Sequence, residues 1–195
     1  MIARVLAGGA VLAAMAFLCW IAARAGPELI GAAGAYHAAD TPLTGTEGAP
    51  VRLAQGPRLV VFGYVGCADR CPLTLRTLSG LGFSHRAGRS VRVTFVDIDP
   101  WRDTRARVDR YVAHFGDVQG AVGELAALEA NEAALGVHPV TRLDDVAAHD
   151  TRIFVLDRDG VLVGALSADM ARDDIRAIVR RRLGRDSDLV TPVPR

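Results

Sequence analysis

Two cysteines, Cys67 and Cys71, carry the clearest chemistry in this sequence. Residues four apart on a helix lie 400° round, so the two thiols share a face, with a rise of ~6 Å between their Cα atoms. Disulfides form at Cα separations of about 4.4 to 6.8 Å, so the pair can close one. It can equally chelate a metal. Two thiolates select soft ions such as Cu(I) or Zn over Mg or Ca, and two ligands are too few for a structural zinc, which takes about four. A helix N-terminus, and Arg70 if its side chain turns towards the sulfurs, would lower the thiol pKa values and make thiolates available at neutral pH.

A third ligand has to come from elsewhere in the chain. Of the histidines, His37, His85, His114 and His138 read as solvated or packed side chains. His149 differs: it immediately precedes the apolar run Arg152 to Leu156, and the start of that run can lie near the cysteine loop. Asp97, Asp99 and Asp103 suggest a hard-cation site at first sight, but two of them border a buried strand and the third is placed to cap a helix, so a structural role is the better reading. Trp101 is read either as packing or as a partner contact.

The elements that position these residues follow from periodicity. Leu59 to Val65 is a short apolar, β-branched run, as is Val91 to Ile98, and each reads as a strand buried on both faces. Between them Cys71 to Leu81 carries leucines at helical spacing. Strand, helix, strand implies a parallel pair. The cysteines then sit at the carboxyl edge of the sheet, where α/β folds place their chemistry. Thr104 to Phe115 predicts an amphipathic helix capped by Asp103 or Thr104 and stopped at Gly116, and a further helix is expected over Val122 to Leu135. Arg152 to Leu156 and Val161 to Leu166, joined by Asp157-Arg158-Asp159-Gly160, read as an antiparallel hairpin. A last helix spans about Asp169 to Leu183. This order is the layout of a thioredoxin-like α/β sandwich, a mixed central sheet flanked by helices, although other small α/β folds share it.

The chain has 195 residues, 50% hydrophobic and 23% charged, which leaves room for one core plus a terminal segment. A net charge of +1 argues against a nucleic-acid partner. Every basic residue is arginine, so Schiff-base chemistry on lysine is excluded. From Val5 to Ala23 no residue is charged, and a helix of that length covers about 28 Å, one hydrocarbon core. Residues 1–25 are therefore read as a membrane anchor or signal, with Cys19 a small apolar member of it. Residues 26–50 form a tether and edge segment, 51–184 the sandwich domain, and 185–195 a loose tail. The bulk of the chain is then exported, as a single-pass protein of the inner membrane with its head in the periplasm.

The segments Val61 to Pro72 (VFGYVGCADRCP), Phe95 to Thr104 (FVDIDPWRDT), and His149 followed by Phe154 to Gly160 (FVLDRDG) resemble, in order and spacing, the Sco/SenC family. The resemblance runs from about residue 40 to 183. It implies a membrane-tethered thioredoxin-like domain that binds a copper ion through Cys67, Cys71 and His149. It also implies a part in building the dinuclear copper centre of cytochrome c oxidase, with that oxidase subunit and a thioredoxin-like reductant as partners. The family usually has Pro and an apolar residue where this chain has Ala68 and Arg70, and Asp-His-Ser where it has Ala148-His149-Asp150. The ligand types survive these changes, and the displaced carboxylate of Asp150 could still orient the imidazole. Arg70 beside the sulfurs would favour a Cu(I) complex over a Cu(II) one. The competing reading is a thiol-disulfide reductase in which Cys67 and Cys71 are the redox-active pair; a purely structural disulfide ranks last, because so short a loop gives little entropic stabilisation.

Overall fold

The computed structural model describes Met15, residues 36–81 and residues 91–183. Apart from Met15, the expected membrane helix lies outside the described residues, as do Cys19, His85 and the tail over 185–195. Among the described residues no helix is long and apolar enough to cross a membrane.

Seven strands among the described residues form one mixed sheet: β1 (Leu43–Gly45), β2 (Pro50–Val51), β3 (Arg58–Gly63), β4 (Arg92–Asp97), β5 (Val118–Val122), β6 (Ile153–Leu156) and β7 (Leu162–Leu166). Their spatial order is β2-β1-β5-β4-β3-β6-β7. The expected parallel pair is β3 with β4, in register from Arg58↔Arg92 to Gly63↔Asp97. The expected hairpin is β6 with β7. The sheet begins at Leu43, inside the segment read as tether and edge, because β1 pairs antiparallel with β5.

Among the described residues four α-helices cover the sheet: α1 (Arg70–Ser79), α2 (Arg105–Val112), α3 (Leu125–Ala134) and α4 (Arg172–Leu183). Strand alternation makes two cores. Leu59 and Val61 of β3 face one way, into a cluster with Leu75 and Leu78 of α1, Val108 and Val112 of α2, and Ile175 and Val179 of α4. Val60 and Phe62 face the other way, against Leu128 of α3, Val137, Val140 and Val146. Each of these fully buried side chains contributes roughly 1.5–3 kcal/mol, which is why β3 reads as an unbroken apolar run.

The helix boundaries have local causes. Asp69 accepts the Arg70 N–H at 2.6 Å and opens α1, and Pro72 in the first turn removes an N–H that has no intrahelical partner. Thr104, rather than Asp103, caps α2, its hydroxyl accepting the Arg107 N–H at 3.3 Å. Gly116 (φ 65°) and Gly136 (φ 70°) take positive φ just past helical turns, where a side chain would be strained.

The helix expected over Val122 to Leu135 begins only at Leu125, because Val122 ends strand β5. The last helix starts at Arg172 instead of Asp169. A 3-10 helix over Leu143–Ala148 precedes His149. At the other end of the hairpin, His37 bridges Val161, Ala38 N–H donates to Gly160 O at 2.9 Å, and Leu162 N–H donates to Tyr36 O at 3.0 Å.

Candidate metal centre

Strand β3 delivers the chain to the carboxyl edge of the sheet, and the next eight residues carry both cysteines. Cys67 N–H donates to Tyr64 O at 3.2 Å, making a tight turn off the strand. Cys71, in the first turn of α1, donates its backbone N–H to Cys67 Sγ at 3.5 Å. Both cysteines are buried free thiols. The four-residue spacing therefore brings the sulfurs together as the sequence suggests, on the core side of the helix.

The expectation of ready thiolates is overturned for Cys71. Burial pushes its thiol up to about 12, with the hydrogen bond to Cys67 adding to the effect. At 3% exposure a thiolate there has almost no water to solvate it. Arg70 does not offset this. Its guanidinium lies 3.3 Å from both carboxylate oxygens of Asp169, in an exposed ion pair. The charge expected to favour a Cu(I) complex is thus already matched by a carboxylate.

His149 arrives from the other side of the fold. Strand β6 runs antiparallel to β3 with Ile153 opposite Val61, so the residues before β6 lie beside the end of β3 where the cysteine loop starts. The imidazole Nδ1 lies 2.9 Å from Val146 O. A carbonyl only accepts, so Nδ1 carries the proton and Nε2 keeps its lone pair in the neutral ring. Burial lowers the His149 pKa, favouring that neutral ring. Nε2 is buried and has no hydrogen-bond partner. Asp150 does not orient the imidazole: its carboxylate binds Arg152, accepting the Arg152 backbone N–H at 2.9 Å and Nε at 2.8 Å. Val146 O does that work instead.

Tyr64 joins the two halves of the site. Its ring meets the His149 ring edge-on, 5.4 Å between centroids at 83°. Its phenol is raised above the ordinary tyrosine value by burial and then by the nearby Cys67 and Cys71 thiols. By sequence Tyr64 is one more residue of the apolar run Leu59 to Val65. The signal that could have singled it out is an aromatic at the point where the chain leaves the sheet, three residues before a cysteine. Among the described residues no three His, Cys, Asp or Glu side chains come close enough together to hold a metal ion. Cys67 and Cys71 are brought together, and His149 is one aromatic ring away.

The carboxylates are interlocked and structural. Asp103 Oδ2 accepts the Val65 N–H at 2.9 Å, pinning the loop two residues before Cys67, and Oδ1 pairs with Arg107 at 3.1 Å. Asp99 pairs with Arg102 at 2.5 Å. Burial, and then the charge of Asp103, push Asp97 up to about 8, so it is the protonated partner in its hydrogen bond to Asp103. A pocket of about 520 Å³ opens beside Tyr64 and Gly66, with Arg102, Arg107 and Leu143 in its wall. Trp101, 41% exposed, stands on the same β4–α2 connection. His37 takes part in the bridge to Val161, away from the cysteines.

A family model described as SCO1/SenC matches residues 33–184. Among solved structures, ScoI of Bradyrhizobium japonicum with copper bound is 28% identical, covering 75% of this chain and 99% of its own with a TM-score of 0.62. Apo Sco1 of Thermus thermophilus is 29% identical, covering 79% of this chain and 92% of its own with a TM-score of 0.60. A curated protein of Stutzerimonas stutzeri, described provisionally as copper-binding, is 24% identical over 128 residues. The matched region spans 62% of this chain and 63% of that relative's length.

Proposed function

Because this chain belongs to the SCO1/SenC family, we propose that it carries one copper ion on Cys67, Cys71 and His149 and hands it on for assembly of the copper centre of cytochrome c oxidase. Copper is the cargo, held in relatives of the same fold. The observation that carries the reading is the donor set: two free thiols joined by a Cys71 N–H to Cys67 Sγ contact, and an imidazole whose Nε2 is buried, unprotonated and without a partner. Two soft sulfurs and one nitrogen suit Cu(I). Taking up the ion displaces the Cys71 proton, so loading releases a proton to solvent.

The reading extends to location. Residues 1–25 would tether the head to the inner membrane on its periplasmic side. In that oxidising compartment the pair needs a thioredoxin-like reductant, since a disulfide cannot ligate copper.

Metal analysis of the reduced full chain, loaded anaerobically with Cu(I), tests the assignment. One copper per chain is expected, lost in Cys67→Ala and in Cys71→Ala, with affinity weakened about tenfold or more in His149→Ala. Full affinity in the His149 variant would remove the third ligand.

The unequal environment of the two thiols supports a second reading, thiol-disulfide exchange. Cys71 is the more buried and is held protonated, leaving Cys67 at the loop as the attacking group. Reduction of a disulfide substrate by the copper-free chain, with His149→Ala as active as the wild type, would favour it.

A further inference from the structure

We infer that Tyr64 is a positioning residue for the third ligand: its ring parks the His149 imidazole clear of the thiol pair, so copper gains that ligand only when the Tyr64–His149 contact opens. The inference rests on the copper reading above and deepens it.

Tyr64 is fixed to the cysteine loop through its backbone, because its carbonyl accepts the Cys67 N–H at 3.2 Å. Its side chain is held elsewhere. The ring packs against both hydrophobic cores, the Arg102 guanidinium carbon lies 6.0 Å from its centroid, and the His149 ring stands edge-on at 5.4 Å. His149 is oriented from behind by Val146 O at 2.9 Å, which leaves Nε2 as the only atom able to bind a metal. That atom is buried and bare, a costly state that a metal relieves. Among the described residues the imidazole and the two thiols do not form a three-ligand group. One residue therefore touches the sulfur loop through its main chain and the nitrogen ligand through its ring.

A ligand site populated for only part of the time binds more weakly by that fraction. An edge-to-face aromatic pair biases such an equilibrium by about two- to tenfold. Chelator competition for Cu(I) on the reduced full chain reads this bias. Tyr64→Leu is expected to bind about two- to tenfold more tightly than the wild type, and Tyr64→Phe, which keeps the ring, to match the wild type. The gain is expected to vanish when Tyr64→Leu is combined with His149→Ala.

Tyr64→Leu no tighter than the wild type, or an equal gain without His149, would overturn the inference while leaving copper binding intact. Equal affinity of wild type and His149→Ala would instead overturn the ligand assignment beneath it, and the inference with it. A measurement on the wild type needs no variant to fold. Nuclear Overhauser contacts between the Tyr64 and His149 rings should be present in the reduced copper-free chain and disappear on adding one equivalent of Cu(I). Contacts that persist in the loaded chain would overturn the positioning role.

Discussion

Asp97 and Asp103 settle their like charges by keeping a proton between them. Asp97 is 1% exposed, and burial followed by the charge of Asp103 pushes it from 3.8 up to about 8. A carboxyl raised on folding stabilises the native state fully below its unfolded value, and that contribution is lost as pH climbs through the folded value. Stability should therefore fall between about pH 4 and pH 8. Asp97→Asn keeps a donor towards Asp103 and an acceptor for the Asp99 N–H, found at 3.2 Å in the native chain. It should be more stable than the wild type at pH 8 by roughly 1–3 kcal/mol, with the difference shrinking towards pH 4; urea titrations at both pH values check the sign. Gly63 bears more directly on the sulfurs. A Cβ there would meet Cys71 Sγ at 2.6 Å and Phe95 Cε2 at 2.8 Å, both in the core. Gly63→Ala should cost roughly 1–3 kcal/mol and weaken Cu(I) retention, measured by denaturation and by chelator competition. The cysteine pair was legible because helical geometry alone puts residues four apart on one face. Its protonation was not, since the depth of Cys71 depends on the sheet side of α1 packing into a core that includes Phe95. The direction of Arg70 depends on Asp169, ninety-nine residues away.

At the level of elements, the turn between β6 and β7 is closely constrained. Gly160 has φ 76°, and a Cβ on it would lie 2.7 Å from Ala54 Cα and 2.8 Å from Ala54 O, backbone atoms that cannot step aside. Gly160→Ala should cost about 1–3 kcal/mol and should loosen Tyr36 to Ala38, whose hydrogen bonds end on this turn; thermal melting and hydrogen exchange of the Ala38 amide report the two effects. The turn was legible from Asp157-Arg158-Asp159-Gly160, as were β3, β4, β6 and β7, because each is an apolar run that the sheet buries. Strand β5 was not. Its sequence Val-Gln-Gly-Ala-Val holds few large apolar residues, for a reason visible only in three dimensions. A Cβ on Gly120 would come within 3.0 Å of Val108 Cγ1, so α2 lies too close for anything larger. Gln119 is also drawn inward, accepting from the buried Arg58 guanidinium at 3.2 Å. The 3-10 helix Leu143–Ala148 was likewise hidden, as it commits a single buried side chain, Val146.

Across the whole molecule stability should be graded from the centre of the sheet outwards. β3 and β4 are central, fully paired and covered on both faces, whereas β2 and β7 have one neighbour each. Native-state hydrogen exchange should find the slowest amides in β3 and β4 and the fastest in β2 and in residues 143–148. Copper loading should slow exchange selectively in 143–148, because the imidazole it would capture hangs from that segment through Val146 O. The fastening of Tyr36, His37 and Ala38 to the hairpin turn has a geometric corollary. That turn follows β6, which runs opposite to β3, so it lies at the Arg58 end of β3, and the sulfurs lie past the Gly63 end. The six residues of β3 separate those two poles by about 17 Å. A leash pulling through Tyr36 would grip the head at its hairpin-turn end, leaving the opposite edge, with Cys67, Cys71 and His149, free to meet another molecule face on.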